Sequence, residues 1–346
     1  MPKTRHLLYA GIDEAGYGPM LGPLCVGAAT VRVESFDPEA QVPDLWELLA
    51  EAVGKAKRDF APKNGGKIPV ADSKALKLSN QSKTKHPCTY LELAVLAFLA
   101  AGHPEHDFPR TDRDLFERLG VILTDHPWYT EPEPVELPLG VSEAQLKIAA
   151  NGLSRAMARV GVSLEDLRVR TIDETEFNGM VREHRSKGAA TSTALAEHLV
   201  SIRDLAHGTQ TPGATGASPT TPSVRVVADR HSGRLDYRAP IARAWPGVPF
   251  SMLEQSPRAS VYGVDNADCR VLFMPEAEDR HLPVALASMA AKLVRELAMA
   301  RFNSYWAARM PGLRPTAGYV TDARRWLVDS ESVVSSAERK RMVRLA

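Results

Sequence analysis

An α/β fold is what the sequence predicts, on three observations. Segments of strand character alternate with segments of helical spacing. The first two strands form a hairpin around a glycine loop. At 346 residues and 44% hydrophobic content, the chain is long enough to bury one large core or two modest ones.

In chain order, "HLLYAGI" and "LCVGAATVRV" are short apolar or β-branched runs bounded by Gly and Pro, and read as the hairpin strands. The stretch "VPDLWELLAEAVGKAKRDF" reads as a helix through the spacing of Leu45, Leu48, Leu49 and Val53. From about Gln81 to Leu139 the composition is that of loops around one apolar helix, "TYLELAVLAFLAAG", and the segment reads as an insertion. That helix needs a partner surface, whereas "EPEPVELPLG" should run over the outside. Ser142 then opens a helix with Leu146, Ala149, Ala150, Leu153 and Met157 on one stripe. "LRVRTID" follows as a strand, and "TSTALAEHLVSIRDLAHG" as a helix stopped by Gly208. A low-complexity linker occupies about 208–223, before the strand "VRVVAD", which ends in the carboxylate of Asp229. "PVALASMAAKLVRELAMARFNSYW" is a long amphipathic helix, and the tail after Pro311 is helical and basic.

Composition narrows the function classes. A formal net charge of +1 gives no global attraction to polyanions, so nucleic-acid contact must come from local clusters. Arg324-Arg325 and the group Arg339, Lys340, Arg341 and Arg344 are such clusters, and each alone reads as a solvated helix face. Cys25, Cys88 and Cys269 are odd in number and scattered, which argues against a disulfide framework. No apolar run reaches the ~18 residues of a membrane span, and the first apolar stretch is too short for a signal-peptide core of ~7–15 residues. The expectation is a cytoplasmic protein without a membrane.

Asp13 and Glu14 end the first strand and face the loop "GYGPMLG". Two carboxylates at the end of a core strand cost desolvation unless a cation meets them, and a divalent metal is the usual compensation. An acidic turn accounts for the pair equally well. A dinucleotide loop fits poorly, since Leu21 holds the third glycine's place and Pro19 breaks the helix start. His86, Cys88, His103 and His106 lack structural-zinc spacing. Serine-hydrolase and phosphate-loop signatures do not occur.

The order of motifs carries more than any one of them. "GIDEAGYGPMLGPL", "VADSKALKLS", "TIDETEFN", "VVADRHSG", "ALASMAAKLVRE" and "TAGYVT" together resemble the series of the bacterial type II ribonuclease H family, ribonuclease HII. The resemblance implies a ribonuclease H-like fold, a mixed sheet flanked by helices, over residues 1–310. A helical, substrate-contacting extension follows at 311–346. It implies cleavage of the RNA strand of RNA/DNA hybrids, or of ribonucleotides embedded in duplex DNA, leaving 5′-phosphate and 3′-hydroxyl ends. Four carboxylates of the family hold two Mg²⁺ or Mn²⁺ ions; carried over, they are Asp13, Glu14, Asp229 and Glu278, with Asp279 a neighbour of the last. Hard oxygen ligands suit these ions, and two ions ~3.5–4 Å apart activate water and stabilise the leaving 3′-oxygen. Asp173 also ends a strand and Glu296 replaces a family aspartate, but the motif order favours Asp229 and Glu278.

Substrate contacts implied by the resemblance are Gly16, Tyr17, Gly18, Lys74, Lys292 and Tyr319. Lys292 shares a helix face with Arg295, and either touches phosphate or pairs with Glu296. Departures touch selectivity: Tyr17 stands where the family has arginine, Ala317 where it has lysine, and Arg230 follows Asp229 where it has glycine. The sequence therefore reads as a metal-dependent, monomeric endoribonuclease. The alternatives are a nuclease of the same fold acting on DNA junctions, and a catalytically silent nucleic-acid-binding protein.

Overall fold

The computed structural model describes residues 5–61, 66–102, 107–123, 126–208, 221–231, 233–265 and 268–345. His103, His106 and most of the low-complexity linker lie outside them. The elements run β1 (Arg5–Ala15), β2 (Leu24–Phe36), α1 (Leu45–Leu48), β3 (Val53–Gly54), β4 (Ile68–Pro69), α2 (Ser73–Leu76), α3 (Thr89–Gly102), α4 (Asp112–Arg118) and α5 (Pro127–Thr130). They continue with α6 (Glu143–Val160), β5 (Val162–Ile172), α7 (Glu174–His184), α8 (Gly188–Gly208), β6 (Ser223–Asp229), α9 (Arg238–Ala244), β7 (Phe250–Gln255), β8 (Ser260–Val264) and β9 (Cys269–Met274). Three helices close the chain: α10 (Leu282–Arg309), α11 (Val320–Asp329) and α12 (Ser336–Met342).

The predicted mixed sheet flanked by helices is what forms. Seven strands lie in the order β5-β2-β1-β6-β9-β8-β7. The expected hairpin is the antiparallel pair β1 and β2, whereas β1, β6 and β9 run parallel at the centre. Such a parallel trio presents its strand ends on one side of the sheet, where α/β proteins place their ligands. One apolar core, with α3, α6 and α10, covers one face, and a second, with α7, α8 and α9, covers the other.

Local chemistry explains most boundaries. Ser142 caps α6 in a reciprocal box with Gln145, and Gly161 ends the helix in a left-handed conformation. The expected stripe of Leu146, Ala149, Ala150, Leu153 and Met157 is the buried one. The helix expected over 42–60 shrinks to the single turn α1, because the chain turns at Leu49 to pair β3 with β4. A Cβ on Gly54 would lie 2.4 Å from the Asp59 carboxylate, whose other contact is the amide of Ala56. α10 is not amphipathic over its first half: every residue from Leu282 to Arg295 is buried, since the helix runs between the sheet, α3 and the tail.

Two glycines permit that helix to lie on the sheet. A Cβ on Gly11 would fall 2.1 Å from the backbone nitrogen of Val284, and one on Gly27 would fall 2.2 Å from the carbonyl of Ala287. Backbone meets backbone there, so neither neighbour can rotate away. Gly11→Ala is expected to cost about 1–3 kcal/mol through overpacking. Thermal melting checks this, and an unchanged midpoint would contradict the close approach.

Residues 81–139 carry more than loops around one helix. α3 is buried from Thr89 to Leu99, and α4 and α5 are added. The buried Glu92 carboxylate accepts the amides of Leu139 and Gly140, so the expected outer run "EPEPVELPLG" is tied back onto α3 at its end. Arg301 of α10 forms a bidentate pair with buried Asp112 of α4 at 2.6 and 2.7 Å, and also donates to the carbonyls of Tyr129 and Pro132. The tail packs through Trp326 and Met342 against Trp306 and Trp128. No helix among the described residues is long and apolar enough to cross a membrane. All three cysteines are free and buried.

Candidate active site

Parallel register places the first acids. Ile12 of β1 is level with Ala228 of β6, so Asp13 and Asp229 follow at the ends of adjacent strands. The third parallel strand, β9, leads into a 3-10 turn at Ala277–Asp279 that carries Glu278. The amide of Ala277 donates to Asp229 Oδ1 at 3.2 Å and fixes that turn against β6. Glu14 completes the group from β1, with His231 Nε2 at 3.3 Å from its Oε2. The structure thus brings together the four carboxylates expected from the sequence.

Their electrostatics are those of crowded anions. Burial, followed by the charge of Glu14 and then of Asp229 and Glu278, drives Asp13 well above the ordinary carboxylate range, although a hydrogen bond with Ser288 opposes this. Burial raises Asp229, with Glu14 adding to it against the Ala277 amide, and burial followed by Asp229, Asp72 and Asp279 raises Glu278. Glu278 Oε2 is buried without a hydrogen-bond partner, and the buried Glu14 Oε2 has the His231 ring nitrogen 3.3 Å away. An orphaned hard oxygen among mutually repelling acids fits a divalent cation.

A pH dependence follows. Carboxyls raised in the folded state bind protons more tightly than when unfolded, so their contribution to stability is full below the unfolded pKa. It is lost as pH rises through the folded value. Melting in chelator should therefore show stability falling from the ordinary carboxylate range upward, with a shallower fall in Asp229→Asn. Parallel profiles for the two proteins would contradict the crowding.

Three neighbours were not singled out in the sequence as members of the site. Asp72 caps α2 and adds its charge to Glu278. Ser288 of α10 reaches Asp13 and lies 3.0 Å from Ser73 Oγ. His231 faces Glu14. The motifs "ADSKAL", "ALASMAAK" and "VVADRHSG" contained all three, but only packing relates them to the acids.

The expected substrate contacts divide. Gly16, Tyr17 and Gly18 form the loop after β1, with Tyr17 38% exposed. Tyr319, 50% exposed, opens α11 beside that loop, because Gly318 O accepts the amides of Met20 and Leu21. A Cβ on Gly318 would lie 2.3 Å from the Leu21 carbonyl, so this approach requires glycine. Lys74 is exposed on α2, next to Asp72. Lys292 is turned inward: it is buried, and pairs with Glu296 at 2.8 Å. Arg295 is buried as well, donating to the carbonyls of Pro23, Leu21 and Ala317.

The basic tail also needs correction. Arg344 is a buried anchor rather than part of a solvated face, donating to the carbonyls of Gly16 and Tyr17. Burial, with Arg295 beside it, lowers its guanidinium to about 10, so it stays charged at neutral pH. The glycine loop is consequently held from both ends of the tail.

Among the described residues, no three of the four acids bring ligand oxygens within 4.8 Å of one another, whereas buried His126, Asp173 and Glu174 do. That second group reads as structural. Asp173 caps α7 through the amide of Glu176, and Glu174 Oε1 accepts from Gly22 and the Tyr129 hydroxyl. Burial raises Glu174 and favours its neutral form. Arg341 lies 3.0 Å from His126 Nδ1, a cation where a metal would need none.

No family model matches the chain, and no curated protein matches it. Solved structures do. RNase HII of Archaeoglobus fulgidus, in its complex with PCNA, is 14% identical with a TM-score of 0.41, over 98% of this chain and 94% of that one. Bst-RNase HIII in complex with Mn²⁺ is 14% identical with a TM-score of 0.37; the match covers 98% of this chain and 66% of that one. Ribonuclease H2 of Pyrococcus horikoshii OT3 is 17% identical with a TM-score of 0.36, over 92% and 85% of the two chains. At such scores no residue role passes from those proteins to this one.

Proposed function

We propose that this chain is a divergent type II ribonuclease H, a metal-dependent endonuclease. It hydrolyses the RNA strand of RNA/DNA hybrids or ribonucleotides embedded in duplex DNA, leaving 5′-phosphate and 3′-hydroxyl ends. It would act in the cytoplasm as a monomer. The observation that carries this reading is the convergence of Asp13, Asp229 and Glu278 from the ends of three adjacent parallel strands, with Glu14 beside them. A module that only bound nucleic acid would gain nothing from such an anionic cluster against a polyanion.

Asp13, Glu14, Asp229 and Glu278 would hold two Mg²⁺ or Mn²⁺ ions. When bound, such ions supply an activated water and stabilise the leaving oxygen. The chain's own residues position the rest. Ser288 orients Asp13, the Ala277 amide orients Asp229, and Arg344 fixes the carbonyls of the glycine loop. Tyr319 and Tyr17 offer exposed rings on that side, and Lys74 offers an exposed cation on the helix that Asp72 caps. Tyr17 and Ala317, at positions where the resembled family has cations, favour a second reading in which the same centre cuts a different junction. Matched duplexes carrying a full RNA strand, one ribonucleotide or none, each with Mg²⁺ and with Mn²⁺, test both. Cleavage only of ribonucleotide-containing strands supports the proposal, and equal cleavage of the all-DNA duplex overturns it.

A further inference from the structure

A cavity of about 680 Å³ opens directly beside the carboxylates. Glu14, Tyr17 and His231 line it together with Arg234, Arg243 and His184. Glu14 is its one acidic wall residue among the described residues. We propose that this cavity binds backbone phosphate of the nucleic-acid strand as it leaves the catalytic carboxylates, with Arg234 and Arg243 as its cations. The inference rests on the nuclease reading and extends it by assigning the path of the strand.

The charges argue for that direction. A strand whose scissile phosphate sits at the four acids must pass its next phosphates over one flank. On the Glu278 side it meets Asp72 and Asp279, with Lys55 on the Asp279 carbonyl and the exposed Lys74 beside Asp72, so the cations there stand among acids. On the Glu14 side it meets arginines. Arg243 ends α9 exposed, and no hydrogen bond or ion pair with the described residues engages it. Among the described residues, the Arg234 guanidinium spends only its Nε, on the carbonyl of Asp236 at 2.7 Å, and it rests over the ring of Tyr237. That contact aims a guanidinium whose terminal nitrogens can take a phosphate. His231 Nδ1 is buried without a partner on the same wall.

The test is binding of an RNA/DNA hybrid in EDTA, where no cleavage occurs, measured against salt. Wild type is compared with Arg243→Gln, the double variant Arg234→Gln/Arg243→Gln, and Arg113→Gln, an exposed cation on α4 outside the cavity. Each lost phosphate contact should lower the slope of log affinity against log salt by about 1. The double variant should weaken binding about tenfold or more, with Arg113→Gln close to wild type. A single methylphosphonate placed along the strand should, at one position, weaken wild type but not the double variant. If wild type binds the hybrid and the cavity variants keep its affinity and slope, the phosphate site is overturned while the nuclease reading stands. If wild type binds no hybrid, the phosphate site is overturned, and cleavage of the matched duplexes with Mg²⁺ or Mn²⁺ decides the nuclease reading separately.

Discussion

Asp13→Asn is expected to abolish cleavage while raising the melting temperature of the metal-free protein. The carboxylate is buried among Glu14, Asp229 and Glu278, and its raised pKa records how unfavourable its charge is there. Asparagine keeps the shape, so Ser288 retains a partner and the ends of β1 and β6 stay in register. The negative charge that two cations would share is lost. Activity should fall by about 10³-fold or more, at least the scale of removing one preorganised charge-stabilising group. A variant that is more stable but inactive would separate function from folding at this residue. Near-normal turnover would contradict the two-metal assignment.

The second large effect is on stability. Asp112→Ala is expected to cost about 3–5 kcal/mol, because it strands the buried Arg301 guanidinium without its counter-charge. It also frees the amide of Val135, which Asp112 Oδ1 accepts at 3.0 Å. Replacing both partners with apolar residues should cost much less than removing one. Denaturant titration of Asp112→Ala and of Asp112→Leu/Arg301→Met makes the comparison. A mild loss in the single variant would mean that residues 81–139 pack less firmly on α10 than this pair implies.

How much was legible in the sequence differs by element. The hairpin, α6 and the strand ending at Asp229 were readable because local signals decide them: short apolar or β-branched runs, a Ser142 cap and an apolar stripe. The turn after α1 was not, since Leu45, Leu48, Leu49 and Val53 have helical spacing, and only the pairing of β3 with β4 overrides it. α10 misled by its polar residues. Lys292 and Arg295 read as a shared face that either touches phosphate or pairs with Glu296; Lys292 takes the pairing, Arg295 is spent on backbone carbonyls, and Arg301, which the sequence did not single out, is held by Asp112. Arg344 belongs to the same class, a tail charge that packing converts into an anchor for the Gly16–Tyr17 backbone. The four acids came from motif order, whereas Asp72, Ser288 and His231 join them only through tertiary contact.

The most direct measurement is the anomalous scattering of Mn²⁺ in crystals of the protein, which locates the ions without reference to activity. The account predicts density among Asp13, Glu14, Asp229 and Glu278, lost in Asp13→Asn, and none at His126, Asp173 and Glu174. Manganese held by that second group, with nothing at the ends of β1, β6 and β9, would contradict it.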